Sequence, residues 1–142
     1  GQDVAILANG AMVWEALTAA EELAKKGIAA RVINVHTVKP IDVETITTAA
    51  RECGCIVTAE EHQVHGGLGG AVAEVVVKNA PVPMEFVGVK DSFGGSGDPE
   101  ELMVKFGLTW KEIYASALVA MVRRDKGSSG FRAVKDVAVF QG

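Results

Sequence analysis

Glu60, Glu61, His62 and His65 bring two carboxylates and two imidazoles within six positions, and Gly66, Gly67, Gly69 and Gly70 follow them. Imidazole nitrogens and carboxylate oxygens at such spacing are the donor set of a metal site or of proton transfer. Glycines at a helix opening let backbone N–H groups approach an anion closely, so Gly66 and Gly67 could hold a phosphate or sulfate there. The plainer reading is a polar loop that caps the following helix and contacts a neighbouring domain. We adopt that reading and assign no catalytic, cofactor-binding or metal-ligating residue. His36, after the second apolar run, is read in the same way as a loop contact. The glycines are not a dinucleotide fingerprint, because G-x-G-x-x-G does not occur.

These groups are positioned by short apolar runs that alternate with helical patterns. Val4–Ala8, Ala30–Val35, Cys55–Ala59 and Met84–Val89 read as buried strands. Met12, Ala16, Leu17, Ala20 and Leu23 recur at helical spacing, with Lys25 and Lys26 suited to the helix C-terminus and Gly27 as its stop. Asp42 is placed to cap a second helix that Gly54 ends. Leu68–Asn79 forms a third, whose Ala71, Val72, Val75 and Val76 stripe faces the sheet. Asp98-Pro99-Glu100-Glu101 starts a short helix, and Gly107 closes it. Thr109 and Glu112 form a capping box for the last helix, with Leu108 and Ile113 as a hydrophobic staple, running to about Arg124. The alternation predicts a three-layer α/β/α domain with a mostly parallel sheet. Its C-terminal rim then gathers Asn9-Gly10, Gly66-Gly67 and Asp91–Gly97, and ligands and partners are received at such rims.

Composition limits the function. A 49% hydrophobic and 23% charged chain of 142 residues builds one folded core, not a disordered tail. A net charge of −4 and 6% aromatic residues argue against a nucleic-acid surface or a base-stacking platform. No apolar run reaches the roughly 18 residues of a membrane-spanning helix, and the chain reads as cytoplasmic. Cys53 and Cys55 flank Gly54, too few and too close for a zinc site, and fit buried free thiols in a reducing compartment. Gly127–Gly130 has linker composition, and Phe131–Gly142 alternates as a further strand. After a finished helix that strand is expected to add antiparallel at a sheet edge.

Four stretches carry a family likeness: DVAILANG, AAEELAKKGIAARVINVHTVKPID, VTAEEHQVHGGLGGAVAEVV and VPMEFVGVKDSFGGSGDPEELMVKFGLT. In this order, over residues 3 to about 126, the chain resembles the C-terminal domain of the transketolase family of thiamine-diphosphate enzymes. The resemblance implies a mixed five-stranded sheet, four strands parallel and one antiparallel edge strand preceding the segment that begins here at Asp3. The tail, read head-to-tail as VAVFQG-GQDVAILANG, looks like that missing strand. The expected organisation is therefore a domain over 1–126, a linker over 127–130, and a tail strand over 131–142 completing the same sheet in a circular permutant.

The resemblance also implies an assembly domain. Family members hold thiamine diphosphate and a divalent metal between two other domains, one bearing a Gly-Asp-Gly motif that this sequence lacks. The parent activity implied is ketol transfer between sugar phosphates. The partners implied are the other domains or subunit of such an enzyme, with a homodimer in view. The isolated chain is expected to be inactive. Two further readings are kept beside it: a regulatory small-anion or nucleotide module at the Gly66–Gly67 helix mouth, and a self-sufficient α/β enzyme, which would need a nucleophile or phosphate loop not found here. The residues expected at a ligand or interdomain contact are Asn9, Glu60, Glu61, His62, His65, Gly66 and Gly67.

Overall fold

The computed structural model describes residues 1–63, 67–90 and 108–141. Strand β1 (Val4–Ala8) lies inside the sheet with all five residues buried, and its alternating side chains serve two cores. Val4, Ile6 and Ala8 pack with Ala16, Leu23, Ile113 and Ala117 on one face. Ala5 and Leu7 pack with Ile46, Ala50, Val72 and Val76 on the other. Burial on both faces explains why this run is apolar throughout and not alternating.

The sheet order is β2 (Ala30–Asn34), β1, β3 (Ile56–Gln63), β4 (Met84–Lys90), all parallel. Helices α1 (Met12–Ala24) and α4 (Trp110–Gln141) cover one face, α2 (Val43–Cys53) and α3 (Leu68–Asn79) the other. The path runs from β1 outward to β2, then returns past β1 to β3. The crossover helices therefore change faces at the boundary between β1 and β3, and a crevice opens there at the strands' C-terminal ends.

Local chemistry sets the boundaries. Asp42 caps α2: its carboxylate accepts the Thr45 N–H at 3.0 Å and the Thr45 hydroxyl at 2.8 Å, and these bonds hold its acid below the usual range. Gly54 ends α2 at φ +74°, a left-handed conformation that costs a side-chain-bearing residue. Leu108 and Ile113 are both buried in one cluster, as a staple requires. The Thr109 hydroxyl caps α4 through the N–H of Lys111, one residue short of the box partner Glu112.

Two boundaries differ from expectation. Strand β3 runs past Ala59 to Gln63, so Glu60, Glu61 and His62 belong to the strand. Pairing with β4 provides the reason: it resumes at His62↔Val89 after a register shift, which holds polar residues in extended form. The second difference is the tail. Residues 131–141 continue α4 as helix, the sheet of the described residues has four strands, and the expected antiparallel fifth strand is not among them. A helix satisfies each added N–H within the same segment, whereas a strand must first find an edge, so helix propagates from the packed Trp110–Arg124 portion. The Asp91–Gly97 loop and the short helix expected from Asp98 lie outside the described residues.

Both cysteines are buried free thiols. Burial raises the Cys53 thiol, and pushes Cys55 up to about 11 despite the neighbouring Arg124 cation. The Cys55 thiol lies 3.5 Å from the Asp3 carbonyl, a donation only the protonated form can make. Its folded value exceeds the ordinary 9.0, so the unfolded chain loses the proton first as pH rises. The stability tied to this thiol is complete below pH 9 and is lost between about pH 9 and 11. Urea midpoints measured below and above that window should fall with pH, and Cys55→Ala should flatten the fall. An unchanged slope in the variant would assign the loss to other groups.

Candidate functional site

The crevice between β1 and β3 is a cleft of about 460 Å³ bordered by Asn9, Gly10, His36, Glu60, Glu61 and Gly67. Of the rim predicted from sequence, Asn9, Gly10 and Gly67 border this crevice, while Gly66 and Asp91–Gly97 lie outside the described residues. Asn9 is fixed from both sides: its N–H reaches the Ala59 carbonyl at 3.4 Å, and its own carbonyl accepts the Met12 N–H at 3.2 Å. His36 is exposed and Glu61 half-buried, so both present polar groups to whatever approaches. His62 lies within β3, and His65 and Gly66 lie outside the described residues.

Glu60 does something different. Strand alternation turns it inward with Ile56 and Thr58 beneath α3, and it is only 6% exposed. Its carboxylate accepts the N–H of Leu68 at 3.2 Å and of Gly69 at 2.7 Å. Helix α3 has no side-chain cap of its own, since Gly67 stands at the N-cap. Glu60 therefore supplies the cap from an earlier strand, placing negative charge on the positive end of the helix. Gly69 is what admits it: a Cβ there would sit 2.9 Å from the Phe86 ring, 3.2 Å from the Glu60 carboxylate and 3.3 Å from the Thr58 hydroxyl. Sequence reasoning placed Glu60 on the rim as a contact and missed this role. The signal available was the two-residue period through Ile56, Thr58 and Glu60, once β3 is allowed to continue.

A fixed carboxylate thus stands where a small anion would bind, and Glu61 borders the same cleft. A phosphate or diphosphate entering the mouth would meet repulsion in place of free N–H groups. The described residues at this mouth accordingly do not fit the diphosphate of thiamine diphosphate. The sequence has no Gly-Asp-Gly, and the described residues hold no group of three or more His, Cys, Asp or Glu able to bind a metal. The cleft can offer hydrogen bonds and charge to a surface, and among the described residues it holds no thiol nucleophile, since both thiols lie buried.

The described residues thus form an α/β domain of strand order 2-1-3-4, with a polar rim at its switch point and a helix mouth closed by its own acid. The family model "Transketolase, C-terminal domain" matches residues 1–113, and the chain belongs to that family. The chain is 56% identical over 117 residues to the 6-deoxy-6-sulfo-D-fructose transketolase subunit SqwH of Clostridium sp. (strain MSTE9), covering 82% of this chain and 36% of that protein. It is 42% identical over 118 residues to an apulose-4-phosphate transketolase subunit of Phocaeicola vulgatus, covering 83% and 38%. A solved structure described as "Split gene transketolase, inactive beta4 tetramer" superposes with a TM-score of 0.79 at 48% identity, over 86% of this chain and 40% of that one. The chain therefore spans between a third and two-fifths of the length of these relatives.

Proposed function

We propose that this chain is the C-terminal assembly domain of a transketolase-like, thiamine-diphosphate-dependent transferase, and that it adds no catalytic group to ketol transfer between sugar phosphates. The observation that carries this is Glu60: the helix mouth that would otherwise receive a phosphate is filled from within. The rim of Asn9, His36 and Glu61 then serves contact with the neighbouring domains or subunit. Two relatives being named as transketolase subunits supports a partner of that kind. Cofactor and divalent metal would be held wholly by those other parts. The buried free thiols support a cytoplasmic setting. Circular permutation through Gly127–Gly130 rests on the sequence junction alone, and the helical course of 131–141 lends it no support.

Titrating thiamine diphosphate with magnesium into the purified chain should give no saturable heat, and sugar-phosphate donor and acceptor should show no turnover. Either saturable binding or turnover would overturn the assignment. Phosphate titrated alone should also give no heat, which separates this reading from an anion-binding regulatory module.

A further inference from the structure

A second cleft, of about 520 Å³, lies on the α2–α3 layer. One wall is a face of α3, where Gly70, Ala71, Glu74, Val75, Lys78 and Asn79 recur at helical spacing. The other is the chain that leads into α2, from Val38 through Lys39 and Ile41 to Val43. Gly70 to Asn79 covers most of α3, so the groove runs about 13 Å. Val43 is 45% exposed, and an atom added at the Gly70 Cβ position would meet nothing within 4 Å, so the groove is open there. An apolar lining with a few charged groups at this volume is the make-up of a small-molecule site.

The charges select the ligand. Lys39 and Lys78 border the groove with two ammonium groups, and Glu74 with one carboxylate. Glu74 and Lys78 pair at 3.2 Å, but both side chains are 69% exposed, and a pair so solvated is weak enough for Lys78 to turn to another anion. Asp42 and Glu44 stand on either side of Val43 in sequence, and neither borders the groove; the Asp42 carboxylate is held by Thr45. Glu60 and Glu61 border the polar cleft, which shares only Val38 with this groove. The balance along the groove is therefore one positive charge. A single carboxylate matches it, whereas a phosphate ester, at about −1.5 to −2 charges near neutral pH, exceeds it. A cation would face two ammonium groups. We propose that this groove binds a small amphipathic monocarboxylate, its carbon chain lying over Ile41, Val43, Ala71 and Val75 and its carboxylate meeting Lys39 and Lys78. The groove is separate from the β1–β3 rim, so its failure leaves the assembly reading of that rim untouched.

Sodium octanoate titrated into the full chain should give saturable heat at one site, with a Kd of about 1 mM or below. 1-Octanol, with the same carbon chain and no charge, should bind at least tenfold more weakly, and octylammonium should give no saturable heat. Inorganic phosphate should not displace octanoate. Gly70→Leu should weaken octanoate binding at least tenfold while the thermal midpoint holds or rises, because leucine fills the open groove and favours helix more than glycine does. A folding defect would lower both. Lys39→Glu should weaken octanoate and admit octylammonium, a reversal that a merely apolar groove would not show. Absence of saturable octanoate binding would overturn the proposal, as would equal binding of octanol or undiminished binding by Gly70→Leu. Sedimentation as a dimer that Gly70→Leu dissociates would give the groove to a second copy of the chain, and would overturn it too.

Discussion

Gly54→Ala should lower the thermal midpoint by roughly 10 °C, through two costs at one position. The residue sits at φ +74°, where a Cβ costs about 1–2 kcal/mol. The added methyl would also lie 2.8 Å from the Arg124 side chain. Arg124 cannot yield freely, because its Nη1 donates to the Asp3 carbonyl at 2.6 Å and to the Cys53 carbonyl at 3.0 Å. It thereby ties α4 to the start of β1 and the end of α2. Losing those charge-assisted bonds adds about 1–2 kcal/mol. Thermal denaturation by circular dichroism reads the total. Arg124→Ala in the Gly54→Ala background should cost less than in the wild type, since the alanine has already displaced the guanidinium. A midpoint change of under about 2 °C would show that α2 ends without strain and that Arg124 relaxes at no cost.

The second large effect is expected at Glu60. Glu60→Ala removes the acceptor of two buried N–H groups and the charge at the start of α3, for a loss of about 2–4 kcal/mol. Glu60→Gln keeps one acceptor but turns an NH₂ toward an N–H donor, so it should recover only part of that loss. Gly69→Ala should approach the same phenotype from the other side, by crowding the carboxylate against Thr58 and Phe86. The distinguishing result is a gain. With the carboxylate gone, the mouth of α3 becomes an ordinary anion site, so phosphate should raise the midpoint of Glu60→Ala by several degrees more than that of the wild type. Equal responses of the two proteins would mean that Glu60 is not what keeps anions out.

Much of this domain is legible from neighbours in sequence. The five-residue apolar run at Val4–Ala8 announces a strand buried on both faces, and it is one. Asp42 and Gly54 bracket α2 because both act on backbone groups within four residues. Leu68–Asn79 begins and ends as its pattern predicts. Lys25, just past the end of α1, pairs with Glu22 three residues before it at 2.9 Å. Trp14 is 75% exposed on α1, whereas Trp110 packs edge-on against Tyr114 with ring centres 6.1 Å apart.

The amino-acid order by itself determined the layers, the parallel order of the main strands, the family and the rim on which Asn9 and Glu61 meet. All of these depend on periodicity, caps and signature residues that act over a few positions or recur as a pattern. Tertiary structure alone decided that β3 continues to Gln63, that Glu60 turns under α3 as its cap, that Arg124 reaches back 121 residues to Asp3, and that the tail extends a helix in place of a strand. Each of those outcomes is a competition between partners distant in the chain, settled by which backbone groups are left unsatisfied once the sheet and its helices have packed.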